Sequence, residues 1–274
     1  VVLVEICKAL NIQANLNDTT NTLTTKIILR EKKNANKEFV FPDLTKLFPG
    51  HEYNPYGIDK KRYTGKIVSG KSIYHGVDPG EGGHVYAKPG MYYNVVTFDV
   101  ASMHPSSIIA ENGFGPYTEN FKLLLDIRLS IKHKDYDKIR NVFGGVLTPY
   151  LDDPAQAKAL SYALKIAINS VYGLTAAAFD NPLRDPRNVD NWVAKRGALF
   201  MCDLHEKVKA MGAEVVHIKT DSIKIVNPSK EVSDFVFEFG KKYGYNFEIE
   251  EVYTRFCLVN DSVYIAKKHP DYWD

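Results

Sequence analysis

The stretch VVHIKTDSIKIV (215–226) decides how we interpret the fold. Apolar and polar residues alternate on both sides of Thr220-Asp221, which is the pattern of two strands joined by a tight turn. Thr-Asp is a poor two-residue turn, because the favoured hairpin turns use Asn-Gly or Asp-Gly to reach positive φ. This choice of residues points to a functional demand on Asp221. The ordinary alternative is that Asp is common at turns because its side chain bonds nearby backbone groups.

A second aspartate lies near the end of another apolar segment. NVVTFDV (94–100) is short and β-branched, so it is typical of a buried strand that ends near Asp99. If this strand neighbours the hairpin in one sheet, the carboxylates of Asp99 and Asp221 converge at its edge. Carboxylates suit Mg²⁺, and two such ions can stabilise the attacking and leaving oxygens of an in-line displacement. Taken alone, either Asp is better explained as an ordinary turn or strand-end residue.

Helical patterns follow the first strand. A short helix is predicted after Pro105, and 121–140 has helical composition with a basic face. Asp152-Asp153-Pro154 supplies an N-cap and a first-turn proline for a helix over 155–172 that Gly173 closes. The last two of these helices, joined by a short loop, predict an αα-hairpin. Further elements are predicted as helices over 192–211 and 233–243 and strands over 247–252 and 256–266.

Basic and polar side chains recur along one face of the helical hairpin. Lys165, Asn169 and Tyr172 lie at i, i+4 and i+7, so one helix face could present them together to a triphosphate and a base pair. Arg128 and Lys132 have the same i, i+4 relation on the preceding helix. Phosphoryl transfer depends mostly on positioning and charge stabilisation, which such cations supply. A surface lysine is more often only solubilising, so spacing alone does not decide between these interpretations.

Composition limits the possible partners without naming one. The chain has 274 residues and a net charge of only +2, so affinity for nucleic acid would require basic residues clustered on one face. Such a cluster occurs in 60–71, ahead of a glycine-rich stretch over 76–90. It fits either a solvated loop or a contact to a phosphate strand.

The cysteines and the apolar runs exclude several classes of protein. Cys7, Cys202 and Cys257 are odd in number and widely spaced, which indicates neither a disulfide framework nor a zinc site. No apolar run reaches the roughly 18 residues of a membrane span, and no signal peptide is recognisable. We therefore expect a cytoplasmic protein without a membrane partner. Val1 is not an initiator Met, so we also expect a piece of a longer chain.

Three segments, in this order, resemble the polymerase motifs of family B DNA polymerases. DVASMHPS (99–106) resembles motif A, D-x-x-S-L-Y-P-S; KIAINSVYG (165–173) matches the fixed positions of motif B, K-x-x-x-N-S-x-Y-G; and KTDS (219–222) resembles motif C, D-T-D-S. The sequences DVASMHPS (99–106) and VYIAK (263–267) are most similar to those of polymerases of tailed bacteriophages. If the protein is phage-encoded, its expected location is the host cell cytoplasm.

The resemblance implies an α+β fold. It comprises a palm, in which helices flank an antiparallel sheet, and fingers made of a two-helix antiparallel hairpin. The expected segments are the end of an exonuclease region with its connection to the palm (1–90), a first palm segment (91–120), the fingers (121–174) and a second palm segment (175–274), with the thumb absent.

The resemblance also implies roles for individual residues. Asp99 and Asp221 would bind two Mg²⁺ ions, for which Mn²⁺ is a possible substitute, and the carbonyl of Val100 would add a ligand; Lys165 would join the aspartates in catalysis. The residues expected to bind the incoming dNTP are Ser102, Met103, His104, Arg128, Lys132, Lys165, Asn169 and Tyr172. Those expected to contact primer–template DNA are Gly82, Gly83, Tyr172, Gly173, Thr220 and Tyr264. The sequence identifies no processivity factor.

Four positions depart from the family pattern. His104 stands where the family has the tyrosine that excludes ribose, and Lys219 replaces the first Asp of D-T-D. Gly80 occupies the tyrosine position of a Y-x-G-G template-contact motif. Ser262 stands where a K-x-Y motif would place a lysine at the primer terminus, a contact that Lys267 or Lys268 could supply.

The predicted reaction is attack of a primer 3′-hydroxyl on the α-phosphate of a dNTP, directed by a template. Two alternatives stay open. The chain could be a non-catalytic DNA-binding fragment or a decayed polymerase, although retention of Asp99, Asp221, Lys165 and Asn169 argues against decay. It could also be a polymerase that tolerates ribonucleotides, as His104 suggests.

Overall fold

The computed structural model of the chain describes residues 1–52, 73–80 and 82–270, so the basic stretch 60–71 lies outside the described residues. The chain divides into two compact units, one formed by 1–41 with 111–188 and the other by 42–110 with 189–274. The helices are α1 (Val2–Ala9), α2 (Thr20–Leu29), α3 (Leu44–Leu47), α4 (Met103–Ala110), α5 (Thr118–Lys132), α6 (Thr148–Leu151), α7 (Pro154–Ala176), α8 (Trp192–Ala210) and α9 (Lys230–Lys242). The strands are β1 (His51–Glu52), β2 (Ile73–Tyr74), β3 (Val85–Ala87), β4 (Gly90–Val100), β5 (Glu214–Lys219), β6 (Ser222–Val226), β7 (Phe247–Leu258) and β8 (Tyr264–Lys268).

The first unit is helical. It contains α1, α2, α5, α6 and α7, and α5 and α2 both pack against α7. The structure thus groups 1–41 with the two long helices, whereas the sequence analysis placed 1–90 in a segment of its own. The division into exonuclease connection, palm and fingers stays a prediction.

The two long helices end at different residues from those predicted. α5 stops at Lys132 rather than continuing to Arg140, because Lys134 adopts a left-handed conformation and the N–H of Asp135 donates back to the carbonyl of Ser130 at 2.8 Å. α7 runs through Gly173 to Ala176, so Gly173 does not close the helix. The predicted N-cap is confirmed, since the Asp153 side chain accepts a hydrogen bond from the N–H of Ala155.

The second unit is built on a six-stranded antiparallel sheet with the order β3-β5-β6-β4-β7-β8. The predicted hairpin is confirmed as β5 and β6, and β4 pairs with β6 as its other neighbour. The two strands predicted over 247–252 and 256–266 exist as β7 and β8, but the predicted bounds are wrong, because 256–258 belongs to β7 and β8 begins only at Tyr264. The first strand, β7, continues from Phe247 to Leu258. It can do so because it pairs with β4, which is of similar length, from Gly90 to Val100.

The main core of this unit lies on one face of the sheet. Phe98 and Val100 of β4 and Ile223 and Ile225 of β6 join buried residues of α8 and α9 there. Because side chains alternate along a strand, Asp99 and Thr97 lie on the opposite face. The mixed fold of helices and antiparallel sheet is confirmed. No helix within the described ranges is both long and apolar enough to span a bilayer.

Candidate active site

Asp99 and Asp221 lie side by side at one end of neighbouring strands. Asp99 of β4 pairs in register with Ser222, the residue that follows Asp221. The N–H of Val100 donates to the carbonyl oxygen of Asp221 at 2.8 Å, which fixes the end of β4 to the β5–β6 turn. The topology therefore brings together two aspartates that are distant in the sequence.

The β5–β6 turn is held in a strained conformation. Thr220 has φ +55°, a left-handed conformation that β-branched residues rarely adopt. Its N–H donates to the carbonyl of His84 at 2.9 Å. A Cβ added to Gly83, at φ +151°, would lie 2.8 Å from the Thr220 side chain, so a glycine lets the two segments approach. Gly83 thus has a structural role beside the DNA contact expected of it.

Burial and nearby carboxylates disfavour charge on both aspartates. Burial raises the pKa of Asp99 to about 7, assisted by the carboxylates of Asp221 and Glu250. Burial also raises the pKa of Asp221, and Glu250 adds to the effect. Lys224 acts in the opposite direction on both. The site thus holds more carboxylate than its local cations neutralise, which favours binding of a further cation.

The donor set fits Mg²⁺. In the described part of the chain, no group of three or more His, Cys, Asp or Glu side chains is arranged to hold a metal ion, so these residues form no closed protein cage. Mg²⁺ is usually held by one or two carboxylates and completes its shell with waters and substrate phosphates. Asp99 and Asp221, with the backbone carbonyl of Val100, supply hard oxygen ligands of that kind.

The residues after Asp99 have different surroundings. Ser102 is in a left-handed conformation at φ +55° as the chain enters α4. Met103 is buried, and a Cβ added to Gly197 of α8 would lie 2.7 Å from its sulfur. The Met103 side chain therefore belongs to the main core of the sheet unit. Burial lowers the pKa of His104, so its imidazole is neutral at pH 7.

The helical unit carries the predicted triphosphate ligands. Lys165 and Asn169 are exposed on α7, and Tyr172 is half-buried. Lys132 is exposed and Arg128 is half-buried on α5, which packs against α7. Gly173 is exposed, and a Cβ there would meet no atom within 4 Å. Lys165 and Asn169 of the predicted set are therefore accessible to solvent on α7.

Tyr264 is the first residue of β8 and lies near the face of the sheet that carries Asp99, which we call the carboxylate face. Its ring lies 4.9 Å from that of Phe256 and 5.5 Å from the ammonium of Lys224. Of the two lysines suggested as substitutes for Ser262, Lys268 is ion-paired with Glu251.

Sequence reasoning missed two charged residues of this site, Lys224 and Glu250. Lys224 pairs in register with Thr97 and therefore shares the face of Asp99. Glu250 falls at a register shift in the β4–β7 pairing. Alternation within β6 could have placed Lys224 on the face of Ser222, whereas a β-bulge leaves no signal in a single sequence.

A sequence relative of the chain is a DNA polymerase. The chain is 27% identical over 220 residues to "DNA polymerase 1" of Sulfurisphaera ohwakuensis. The chain is therefore similar in sequence to a DNA polymerase. The match covers 72% of this chain and 23% of the relative, so the chain spans less than a quarter of the relative's length. No family model matches the chain.

The fold also has a solved counterpart. The structure of the family B DNA polymerase from the hyperthermophilic archaeon Pyrobaculum calidifontis has a TM-score of 0.50 and 16% sequence identity to the chain. The match covers 97% of this chain and 34% of that one. This likeness concerns the fold alone. Both relatives are archaeal, so they give no support to the resemblance to tailed-bacteriophage polymerases.

Proposed function

We propose that the chain is the palm and fingers of a family B DNA polymerase and catalyses template-directed addition of dNMP from dNTP to a primer 3′-hydroxyl. The observation that carries the proposal is the strand register that places Asp99 beside the Asp221 turn. Similarity to a DNA polymerase in sequence and to a family B polymerase in fold supports it.

Asp99, Asp221 and the carbonyl of Val100 would hold two Mg²⁺ ions, with Mn²⁺ as a possible substitute. When bound, such ions lower the pKa of the attacking hydroxyl and stabilise charge on the leaving pyrophosphate. The raised pKa of Asp99 supports this role, because a buried carboxylate pair without a cation disfavours its own ionisation. A bound cation removes that penalty.

The helical unit would bind the incoming nucleotide. Arg128, Lys132 and Lys165 supply cations for the triphosphate, and Asn169 and Tyr172 lie on the same stripe of α7 as Lys165. Cations and hydrogen-bond donors on packed helices cost little reorganisation when the reaction occurs.

The sheet unit would contact the sugar and the DNA. The imidazole of His104 would occupy some of the space under the nucleotide sugar, with Ser102 and the Met103 backbone beside it. The residues proposed to contact the primer–template in this unit are Gly82, Gly83, Thr220 and Tyr264. A smaller ring than tyrosine at His104 leaves more room for a ribose 2′-hydroxyl, so the proposal includes weaker sugar discrimination.

Primer extension tests this function directly. The chain is mixed with a labelled primer–template, Mg²⁺ and one dNTP at a time, for each of the four template bases. The proposal predicts addition of the nucleotide complementary to the template, and none in EDTA. Duplex binding without nucleotide addition in Mg²⁺ or Mn²⁺ would instead identify a non-catalytic DNA-binding fragment. If the chain shows no duplex binding and no nucleotide addition, the proposal is refuted.

A further inference from the structure

Lys224 is a buried lysine on the same face of the sheet as Asp99. Its relative exposure is 5%. It pairs with Thr97 of β4 and with His217 of β5, and the next pair on that face joins Asp99 to Ser222. Cross-strand partners share a face, so the Lys224 side chain lies on the carboxylate face rather than in the main core.

The Lys224 ammonium makes no hydrogen bond or salt bridge to any residue of 1–52, 73–80 or 82–270. Its aromatic neighbour is the ring of Tyr264, with the nitrogen 5.5 Å from the centroid. Burial lowers the pKa of Lys224, and the carboxylates of Glu250, Asp99 and Asp221 oppose that shift. The Lys224 ammonium thus lies within electrostatic range of carboxylates without a bond to any of them, which leaves its hydrogen-bond donors available to a phosphate that enters the site.

The position of Lys224 identifies the ligand as an anion that passes close to the aspartates. Two residues along a strand correspond to about 6.6 Å, so Lys224 lies about that far along β6 from Ser222. A single nucleic-acid strand carries a phosphate about every 3.4 Å of helix axis, so this distance covers one to two nucleotides. If a primer whose 3′-hydroxyl reaches Asp99 runs along β6 toward Lys224, its last phosphodiesters come within range of the Lys224 ammonium.

The surrounding charges explain why a cation is needed there. Asp99, Asp221 and Glu250 all act electrostatically on Lys224, and a phosphate strand on this face would be repelled by all three. Ser262 offers no charge, and Lys268 is paired with Glu251. The Tyr264 ring restricts the rotamers of Lys224 on one side. The Lys224 side chain therefore loses little conformational entropy when it binds a phosphate.

We propose that Lys224 binds the phosphodiester nearest the primer 3′ end and thereby positions the primer terminus at Asp99 and Asp221. This role rests on the proposed polymerase function. Lysine contacts to phosphates fix the register of a nucleic acid without reading its sequence, so the contact should be independent of the primer sequence.

The test measures primer–template binding by fluorescence anisotropy over a series of salt concentrations. Lys224→Met removes the charge and keeps most of the side-chain volume; Lys230→Met, which changes an exposed lysine of α9, is the matched control. The expected result for Lys224→Met is about tenfold weaker binding at low salt and a slope of log K against log salt that is smaller by about 0.9. Lys230→Met should leave both values unchanged.

A second arm needs no protein variant. The last phosphodiester of the primer is replaced by an uncharged methylphosphonate, with the same replacement in the template strand as control. The wild type should lose about tenfold in affinity for the modified primer only, and Lys224→Met should lose nothing further, since coupled changes to one contact do not add. Lys224→Arg should regain some of the lost affinity.

Three results would overturn the inference. They are an unchanged salt slope in Lys224→Met, equal losses for modified primer and modified template, or full additivity of the two changes. If Lys224→Met alters the Mg²⁺ requirement but not the salt slope, Lys224 is a counter-ion for the aspartates instead. If the wild type does not bind the duplex at all, the proposed function fails and the inference fails with it.

Discussion

Replacing Asp99 by Asn should stabilise the metal-free protein at neutral and alkaline pH. Asn keeps the shape of Asp and removes the charge that burial, Asp221 and Glu250 disfavour. The pKa of Asp99 is raised from 3.8 to about 7. At 1.36 kcal/mol per pH unit, this difference corresponds to about 4 kcal/mol. Solvent screening at a partly exposed site reduces that to about 2 kcal/mol.

The sign of the pH dependence follows from the raised pKa. The folded state binds the Asp99 proton more tightly than the unfolded state does, so ionisation of Asp99 lowers stability as pH rises from about 4 through 7. Above that range the penalty is complete, and near pH 4 it is small. The advantage of Asp99→Asn over wild type should therefore be absent near pH 4 and about 2 kcal/mol at pH 8.

The assay is urea unfolding in EDTA, followed by tryptophan fluorescence, to which Trp192 at the start of α8 in the sheet unit contributes. Asp234→Asn is the matched control, because Asp234 forms an exposed i, i+4 pair with Lys230 on α9 and its loss should cost less than about 0.5 kcal/mol at either pH. Added Mg²⁺ should stabilise the wild type, by about 2.7 kcal/mol at a hundred times its Kd, and Asp99→Asn much less. If Asp99→Asn is less stable than wild type at pH 8, or if the difference does not change with pH, the electrostatic reasoning is wrong.

Three further substitutions test the surroundings of the site. Gly83→Ala should lower stability by about 1–3 kcal/mol in the same assay, because the new Cβ would lie 2.8 Å from Thr220 at an unfavourable φ; an unchanged midpoint would refute the close approach. Gly173→Ala should raise stability by about 0.5–1 kcal/mol, because the position is inside α7 with open space around it, and should slow primer extension if this glycine faces the base pair. His104→Tyr should increase the preference for dCTP over CTP by about tenfold or more, equivalent to about 1.4 kcal/mol, and equal preference would remove His104 from sugar selection.

The elements of the fold that depend on local pattern could be predicted from the sequence. Alternation predicted the hairpin of β5 and β6 around Thr220-Asp221, and Asp153-Pro154 marked the start of α7. The end of α7 was missed because the cost of a glycine inside a helix, about 1 kcal/mol, is offset by burial of Thr175 in the turn beyond it. The continuity of β7 was missed because it depends on pairing with β4, which lies far away in the sequence.

The site could be predicted only partially. The ordered motifs identified Asp99 and Asp221, and the β4–β6 register then placed them together. Lys224 and Glu250 were missed because their importance depends on which residues face each other across the sheet. The strain at Thr220 was anticipated only as an unsuitable turn residue, since the partner that holds it, His84, is known only from the fold.

The central claim is that Asp99 and Asp221 together hold the ions that drive nucleotidyl transfer. Single-turnover primer extension in saturating Mg²⁺ tests it most directly, comparing the wild type with Asp99→Asn and Asp221→Asn and with Asp234→Asn as control. We predict that each of the first two variants loses at least ~10³-fold in rate, about 4 kcal/mol of transition-state stabilisation, while duplex binding and the rate of the control are retained. Extension by either variant at the wild-type rate would contradict the assignment.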